Sequence, residues 1–472
     1  PPPSPPLPPP PPFYQTAARY APMGTPRDGN LDAGQDLGER VGSAVALSAD
    51  GQVFATGSSH YYRDGDSGSG RVQIFQWDAN ANDWVPRGQS LTGEEFGTST
   101  GYEPNSMALS ADGSVLALGA ANDDGGRGIV NVFDWNGVDA YVVRADPSNA
   151  LHGDSDSGAG YSVDLSADGS IVAVGLTYHD AVNSNAGAVH VFEWDSSGWT
   201  QLGVDTDMRG ALASDHFGKD VALSDDGHVL AVGVSETEHP GPHDYSRGEV
   251  HVYAYNPSSN RWTERGSTLD ALLGEENYDY LGRSVAISAD GSVVAAVAVQ
   301  TYNSNPRSHV RVWVWDGGKY VKQQPDPVYS AGTADATVIL TMSVAMNAEG
   351  TVLAVGIMPA DATLPGRVDV HAWDGTDWTK IATTEGEDPY DHYGNTVALS
   401  ADATVLATGA SQNTASNLGG FKGRAYTYAL QSNARALVGN PYFTSADAGS
   451  ITTNTDWPDG AGFAIAHSSA IA

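Results

Sequence analysis

The chain contains no cysteine. Disulfide scaffolds, thiolate metal sites and cysteine nucleophiles are therefore excluded, while the redox compartment is left open. Basic side chains are scarce: 23 Lys and Arg stand against 57 Asp and Glu, a net charge of −34. Nucleic acids and anionic membrane surfaces are gripped by clustered Lys and Arg, so this balance argues against both as partners. It suits a surface that meets water, divalent cations or a basic partner. Long apolar runs are missing as well. The longest, Ser292–Val299 and Val338–Met346, are far too short to cross a bilayer, and no membrane insertion is expected. There is no phosphate loop, H-E-x-x-H pair or N-x-[ST] sequon. The chain opens at Pro1 with neither an initiator Met nor a secretory apolar segment, which reads as a processed or partial chain.

What is present falls into three zones. Residues 1–12 read PPPSPPLPPPPP. Prolines fix φ and remove backbone donors, so this run can be neither helix nor central strand and is expected to form polyproline II. At about 3.1 Å per residue its twelve residues reach roughly 37 Å. It is either a solvated spacer or a ligand for an aromatic-lined groove, on this protein or a neighbour. The third zone, residues 431–472, has a single basic residue, Arg435, and matches nothing else in the chain. It is a disordered tail, or a segment that packs on the rest of the chain or pairs with a neighbouring subunit.

Between them, residues 13–430 carry a repeat. The phrase V-A-L-S-A-D-G recurs at Val45–Gly51, Met107–Gly113, Val163–Gly169, Val221–Gly227, Val285–Gly291, Val344–Gly350 and Val397–Ala403. The mean period is about 59 residues, in the range of repeat architectures. Each copy reads as four strands. VALS leads into Asp-Gly, a hairpin signal because both central positions of a type I′ turn need φ > 0. A small-residue strand follows, such as Leu116–Ala120 or Val172–Gly175. The third ends in aromatics, as in Val72–Trp77 and Val189–Trp194, and the fourth begins at Trp84, Tyr141, Trp199, Trp262, Tyr320 or Trp378.

A four-stranded unit cannot bury both faces alone, so the copies must stack. Ala and Gly suit strands converging on an axis, and Trp and Phe a wider rim. An all-β, seven-bladed propeller of four-stranded blades follows. The seventh copy lacks a fourth strand. Tyr20 stands four residues before Gly24, the spacing of Trp84/Gly88, Trp199/Gly203 and Trp262/Gly266. Residues 13–24 are therefore expected to supply the outer strand of the last blade and so remove free sheet edges.

The copies resemble the FG-GAP repeat of integrin α-subunit propellers and many secreted proteins. Phe217–Ala222 and Tyr393–Ala398 carry the resemblance most closely. A glycine three residues before the VALS valine recurs at Gly42, Gly160, Gly218, Gly282 and Gly394, whereas Pro104 and Thr341 replace it in two copies that are expected to enter their blades differently. Many members of the family hold calcium in the first hairpin through D-x-D-x-D-G-x-x-D. The shortened Ser-Ala-Asp-Gly here lacks those carboxylates, which argues against integrin-type cation sites. A rival likeness to WD repeats, through Val312–Asp316, fails on period, since those run about 40–45 residues. The proline tract resembles hydroxyproline-rich segments of green-algal and plant wall glycoproteins. That likeness implies modification at Pro2, Pro3, Pro5, Pro6, Pro8, Pro9 and Pro10, O-linked glycan at Ser4 and on the tract, and an extracellular or cell-surface location.

Candidate chemistry is thin. Asp64 and Asp66 in one Gly-rich loop and Asp154 and Asp156 in another could offer oxygens to Ca²⁺, although solvated turns explain both. Residues 236–244 gather His239, His243, Asp244, Glu236 and Glu238 in a Pro-Gly-Pro loop, a zinc-capable composition that a long insertion also explains. His190 and His251 lie on strands with an alternation that points them into blade interfaces. The reading is a non-enzymatic module of an algal surface fibre, appendage or wall layer, with no catalytic residue and no cofactor beyond candidate calcium. Its tails would contact copies of itself or other surface glycoproteins. The alternatives are a glycan- or protein-binding adhesion propeller, calcium-dependent or otherwise, and a propeller enzyme working at the channel mouth.

Overall fold

The computed structural model describes residues 19–431 except 29–38, 60, 62–69, 93–105, 145–150, 155, 181–182, 205–206, 237–245, 267–271, 301–306, 331–338, 360–363, 390 and 413–421. It is all-β, the only helix among the described residues being a single 3₁₀ turn at Asp124–Gly126. Seven antiparallel sheets form seven blades. In blade 1 the strands, from the axis outward, are Val41–Leu47, Val53–Ser58, Arg71–Asp78 and Asp83–Pro86. Blades 2 to 6 repeat that order, their inner strands being Met107–Leu109, Ala159–Leu165, Asp220–Leu223, Val285–Ile287 and Ile339–Met346.

Blade 7 is composite. Tyr393–Leu399, Val405–Ala410 and Arg424–Gln431 come from one end of the repeat array, and Arg19–Pro22 from the other. The register sets Arg19 opposite Gln431 and Pro22 opposite Tyr428, so the expected latch is present. The rest of its expected span, residues 13–18, lies outside the described residues. A second contact, Arg27–Asp28, pairs with the start of the same strand. The Tyr20 hydroxyl donates to the Ala403 carbonyl. Tyr141 and Tyr320 do the same to Gly113 and Gly291, each at 2.5 Å, within blades built from one stretch of chain.

The S-A-D-G hairpin differs from the type I′ turn expected. Gly51 has φ 66°, but Asp50 is not left-handed. Gly51 N–H donates to Ser48 O and Ser48 N–H to Val53 O, closing a four-residue loop. The physical reason is side-chain capping. The Ser48 hydroxyl donates to Asp50 at 2.6 Å and accepts from Val53 N–H, while Asp50 also accepts from Gln52 N–H. Five other copies repeat this pattern at Asp112, Asp168, Asp226, Asp290 and Asp402. In the sixth copy Asn347 takes over the role, accepting from Thr351 and Val352 N–H groups. The recurrent acids are thus turn-formers, each carboxylate accepting two or three local bonds.

Closure is written in backbone hydrogen bonds. Ala49 N–H donates to Ala111 O, and the chain of bonds continues through Ala167, Asp225, Ala289, Ala348 and Ala401 back to Ala49, every link 2.8–3.0 Å long. Seven links make a ring with no free end. The hydrophobic core is likewise divided among the seams between blades. Ile171, Val189 and Val191 of blade 3 pack with Leu230, Val232 and Trp262 of blade 4, and six further clusters fill the other seams. Second-strand glycines let neighbouring blades approach: a Cβ on Gly119 would lie 2.1 Å from Gly160 O, and one on Gly175 2.3 Å from Gly218 O. The two copies without the entry glycine are not set apart by it: the short inner strand Met107–Leu109 of blade 2 is matched by Val285–Ile287 of blade 5, and a register shift like that between Thr341 and Ser343 of blade 6 also occurs in blades 1, 3 and 7.

Candidate functional site: the central channel and the rim

The seven inner strands surround a channel of about 260 Å³. Six blades give it small apolar residues at the second position of the VALS phrase: Ala46, Ala108, Ala222, Ala286, Ala345 and Ala398. Blade 3 breaks the pattern with Asp164, and blade 4 places Asp220 where other copies carry Ser106, Ser162, Ser284 and Ser343. Each carboxylate ties its blade to the next. Asp164 accepts from Leu165 N–H at 2.8 Å and from Leu223 N–H of blade 4 at 2.7 Å. Asp220 accepts from Val221 N–H at 2.9 Å and from Val285 N–H of blade 5 at 2.7 Å.

Burial dominates their ionisation. It pushes the Asp164 carboxyl up to about 6 against the two N–H donors, with Asp225 adding to the rise. It pushes Asp220 up to about 8, with Asp164 as the neighbouring charge. Asp225, the one acid in the backbone ring at the channel end, is raised by burial and then by Asp226. Blades 3 and 4 therefore give one side of the channel an acidic arc. It can accept hydrogen bonds from a cationic or N–H-bearing group and exchange a proton near neutral pH. The signal is legible in the sequence as a charged residue where the repeat demands alanine or serine.

A pH dependence follows with a definite sign. An unfolded aspartate titrates near 3.9, so between that pH and about 6 for Asp164, or about 8 for Asp220, the folded chain binds more protons than the unfolded one. Stability then falls as pH rises through this window. The double variant Asp164→Ala, Asp220→Ser restores the repeat residues. It should be more stable than the parent at pH 8.5 by at least about 1.4 kcal/mol, the value of a one-unit displacement, with the difference shrinking toward pH 4. Urea midpoints across that range check it, and a constant difference would show that the two acids are unshifted.

The expected cation sites fare differently. Asp64 and Asp66 lie outside the described residues, as do Pro2, Pro3, Ser4, Pro5, Pro6, Pro8, Pro9, Pro10 and most of the loop at 236–244. Asp154 is exposed, with its carboxylate 3.2 Å from His179 Nε2, and Asp156 sits in a left-handed turn at φ 55°. Among the described residues no group of three or more His, Asp or Glu is arranged to hold a metal. Glu236 pairs instead with His216 at 3.0 Å. His251 is clamped between Glu249 and Glu264 at 3.0 and 2.9 Å; burial opposes its charge, yet the two carboxylates hold it up at about 9. It rests against Phe217 and Tyr253, which belong to the cluster in the seam between blades 3 and 4, as the strand alternation led one to expect, and His190 lies against His179 and Phe192.

The rim is built from aromatic pairs. At one end of each of six blades the last aromatic of the third strand faces the first of the outer strand: Trp77/Trp84, Trp135/Tyr141, Trp194/Trp199, Tyr255/Trp262, Trp315/Tyr320 and Trp373/Trp378. Their ring centroids are 5.1–5.6 Å apart. Arginines from the preceding blade stack on several, Arg87 at 4.9 Å over Trp135 and Arg265 at 4.4 Å over Trp315.

No family model matches the chain, and no curated protein does. Solved structures do. Hydrazine synthase from Kuenenia stuttgartiensis superposes with a TM-score of 0.50 at 15% identity, covering 86% of this chain and 99% of that one. The Cps50 (Swd1) β-propeller domain of Myceliophteria thermophila gives 0.49 at 12% identity, over 86% and 99% of the two chains. A protein from Lactobacillus plantarum gives 0.48 at 16%, over 77% and 89%. The chain is a seven-bladed β-propeller. At these identities the likeness carries the fold and nothing about activity.

Proposed function

We propose that this propeller is a rigid, non-enzymatic assembly module of an extracellular surface structure, joined to its neighbours by the segments that flank it. The observation that carries the reading is how the repeat uses its polar residues. The Ser and Asp present in nearly every copy are held in turn bonds, and the turns close a seven-link backbone ring. What is repeated is therefore the means of making a stiff body, as a building block requires. The FG-GAP-like repeat phrases and the proline tract, similar to hydroxyproline-rich wall glycoproteins, support secretion and a surface location. A segment of one copy that fits a site on the next is a heterologous contact, and its repetition makes a filament unless rotation closes it.

Sedimentation velocity on the full chain and on residues 13–431, which retain the closing strand, tests this. The full chain should form salt-resistant polymers and the shortened one should stay near the monomer. Equal assembly by both would remove the flanking segments from the argument, and a monomeric full chain under all conditions would end it.

A further inference from the structure

The aromatic rim contains a feature its packing role leaves unused. The indoles of Trp84, Trp262 and Trp378, on outer strands, donate to Met23 O, Leu202 O and Gln323 Oε1 at 3.0–3.1 Å and knit adjacent blades together. The third-strand tryptophans Trp77, Trp135, Trp194 and Trp315 are half-buried, and their indole N–H groups have no acceptor among the described residues. Each presents part of its indole, packed on its outer-strand partner, together with a hydrogen-bond donor, and Arg87 and Arg265 already lie over the rings of Trp135 and Trp315. Four blades repeat this on one end of the propeller.

That combination complements one kind of chain. A polyproline II segment has rigid proline faces that stack on aromatic rings and backbone carbonyls with no N–H groups of their own to satisfy them. Recognition of such segments needs an aromatic surface with donors beside it. Residues 1–12 have the sequence for it, proline at every position except Ser4 and Leu7. Its exit point is placed to use it: Arg19 begins the outer strand of blade 7 opposite Gln431, the last residue of the third strand, so the chain enters at the end of the blades where the tryptophans sit. Residues 1–18 contain no Asp, Glu, Lys, Arg or His, in a chain of net charge −34. They can approach a second acidic copy without the repulsion that the rest of its surface would meet.

We propose that the tryptophan rim is a receptor for the proline tract of a neighbouring copy, with Trp77, Trp135, Trp194 and Trp315 supplying indole donors to its carbonyls and exposed ring surface to its prolines. One copy supplies a single tract and offers four such tryptophans. The proposal rests on the assembly reading above and names the contact that would carry it.

The test titrates a labelled peptide of residues 1–12 into the full chain and follows its anisotropy. The peptide should bind saturably. The variant with Trp→Phe at all four positions keeps the rings and the fold but loses the donors, and should bind about tenfold more weakly. The Trp→Ala set should abolish binding, with near-UV circular dichroism reporting whether the propeller is intact. Absence of binding, or equal binding by the parent and the Trp→Phe chain, overturns the proposal. Binding only when the chain's own prolines are replaced by Gly and Ser would show that each tract covers its own rim, and would also overturn it. Sedimentation separates this from the assembly reading. Rim variants that still polymerise through their flanking segments leave assembly standing without the rim, and a rim that binds peptide in a chain that never polymerises does the reverse.

Discussion

Removal of residues 1–28 should cost the propeller most of its stability, whereas removal of residues 1–12 should leave its thermal midpoint unchanged. The longer deletion takes away Arg19–Pro22 and uncovers one edge of Arg424–Gln431 along four register positions. It removes the buried side chains of Tyr20 and Met23. Burying two such side chains is worth about 3–6 kcal/mol, and each net hydrogen bond lost adds about 1 kcal/mol. Contacts into blade 1 go as well: Arg27 with Asp83 at 2.7 Å and over Phe75 at 4.9 Å, and the Trp84 indole with Met23 O. The sum is comparable to the whole stability of an ordinary domain, about 5–15 kcal/mol. The exposed edge is also a template for pairing with another chain. The expected product is aggregated or loosely packed, with near-UV circular dichroism lost. A monomeric chain of residues 29–472 melting like the parent would show that the latch is dispensable.

The second large effect lies at a blade seam. Gly233→Val should destabilise the protein by about 3 kcal/mol or more, the upper range for overpacking a site that cannot yield. A Cβ there would stand 1.9 Å from Gly282 O, a backbone atom of the next blade, whose own φ of 93° suits glycine. The seam cannot open locally, because blades 4 and 5 are also tied by the Asp225–Ala289 link of the ring and by Asp220 to Val285 N–H. Gly198→Ala, with nothing within 4 Å of the added carbon, is the control and should change stability by no more than about 0.5 kcal/mol. Chemical denaturation of the three chains decides it, and near-equal midpoints for the Val variant and the parent would mean the seams are softer than their geometry implies.

The repeat phrase was enough to determine the blade count, the strand order and the composite last blade. Those depend on local chemistry: alternating apolar residues, a hairpin signal, and the aromatic-to-glycine spacing that ties Tyr20 to the outer strands. The same phrase misled on the turn itself, since Asp-Gly alone does not reveal that Ser48 and Asp50 cap a four-residue loop with a left-handed residue only at Gly51. Local composition also points to Asp154 and Asp156, which the fold places in an exposed entry loop and a left-handed turn. Asp164 and Asp220 are 56 residues apart and unremarkable as neighbours in sequence. Only closure of the propeller brings them to one channel wall, where burial makes their ionisation unfavourable. The rim belongs to the same class. Each tryptophan is legible as a strand-end aromatic, but which indoles are used in seams and which face outward depends on the packing of the next blade. Sequence thus decided what each repeat is, and tertiary structure decided what the repeats present together, because burial and leftover donors are properties of the seams between copies.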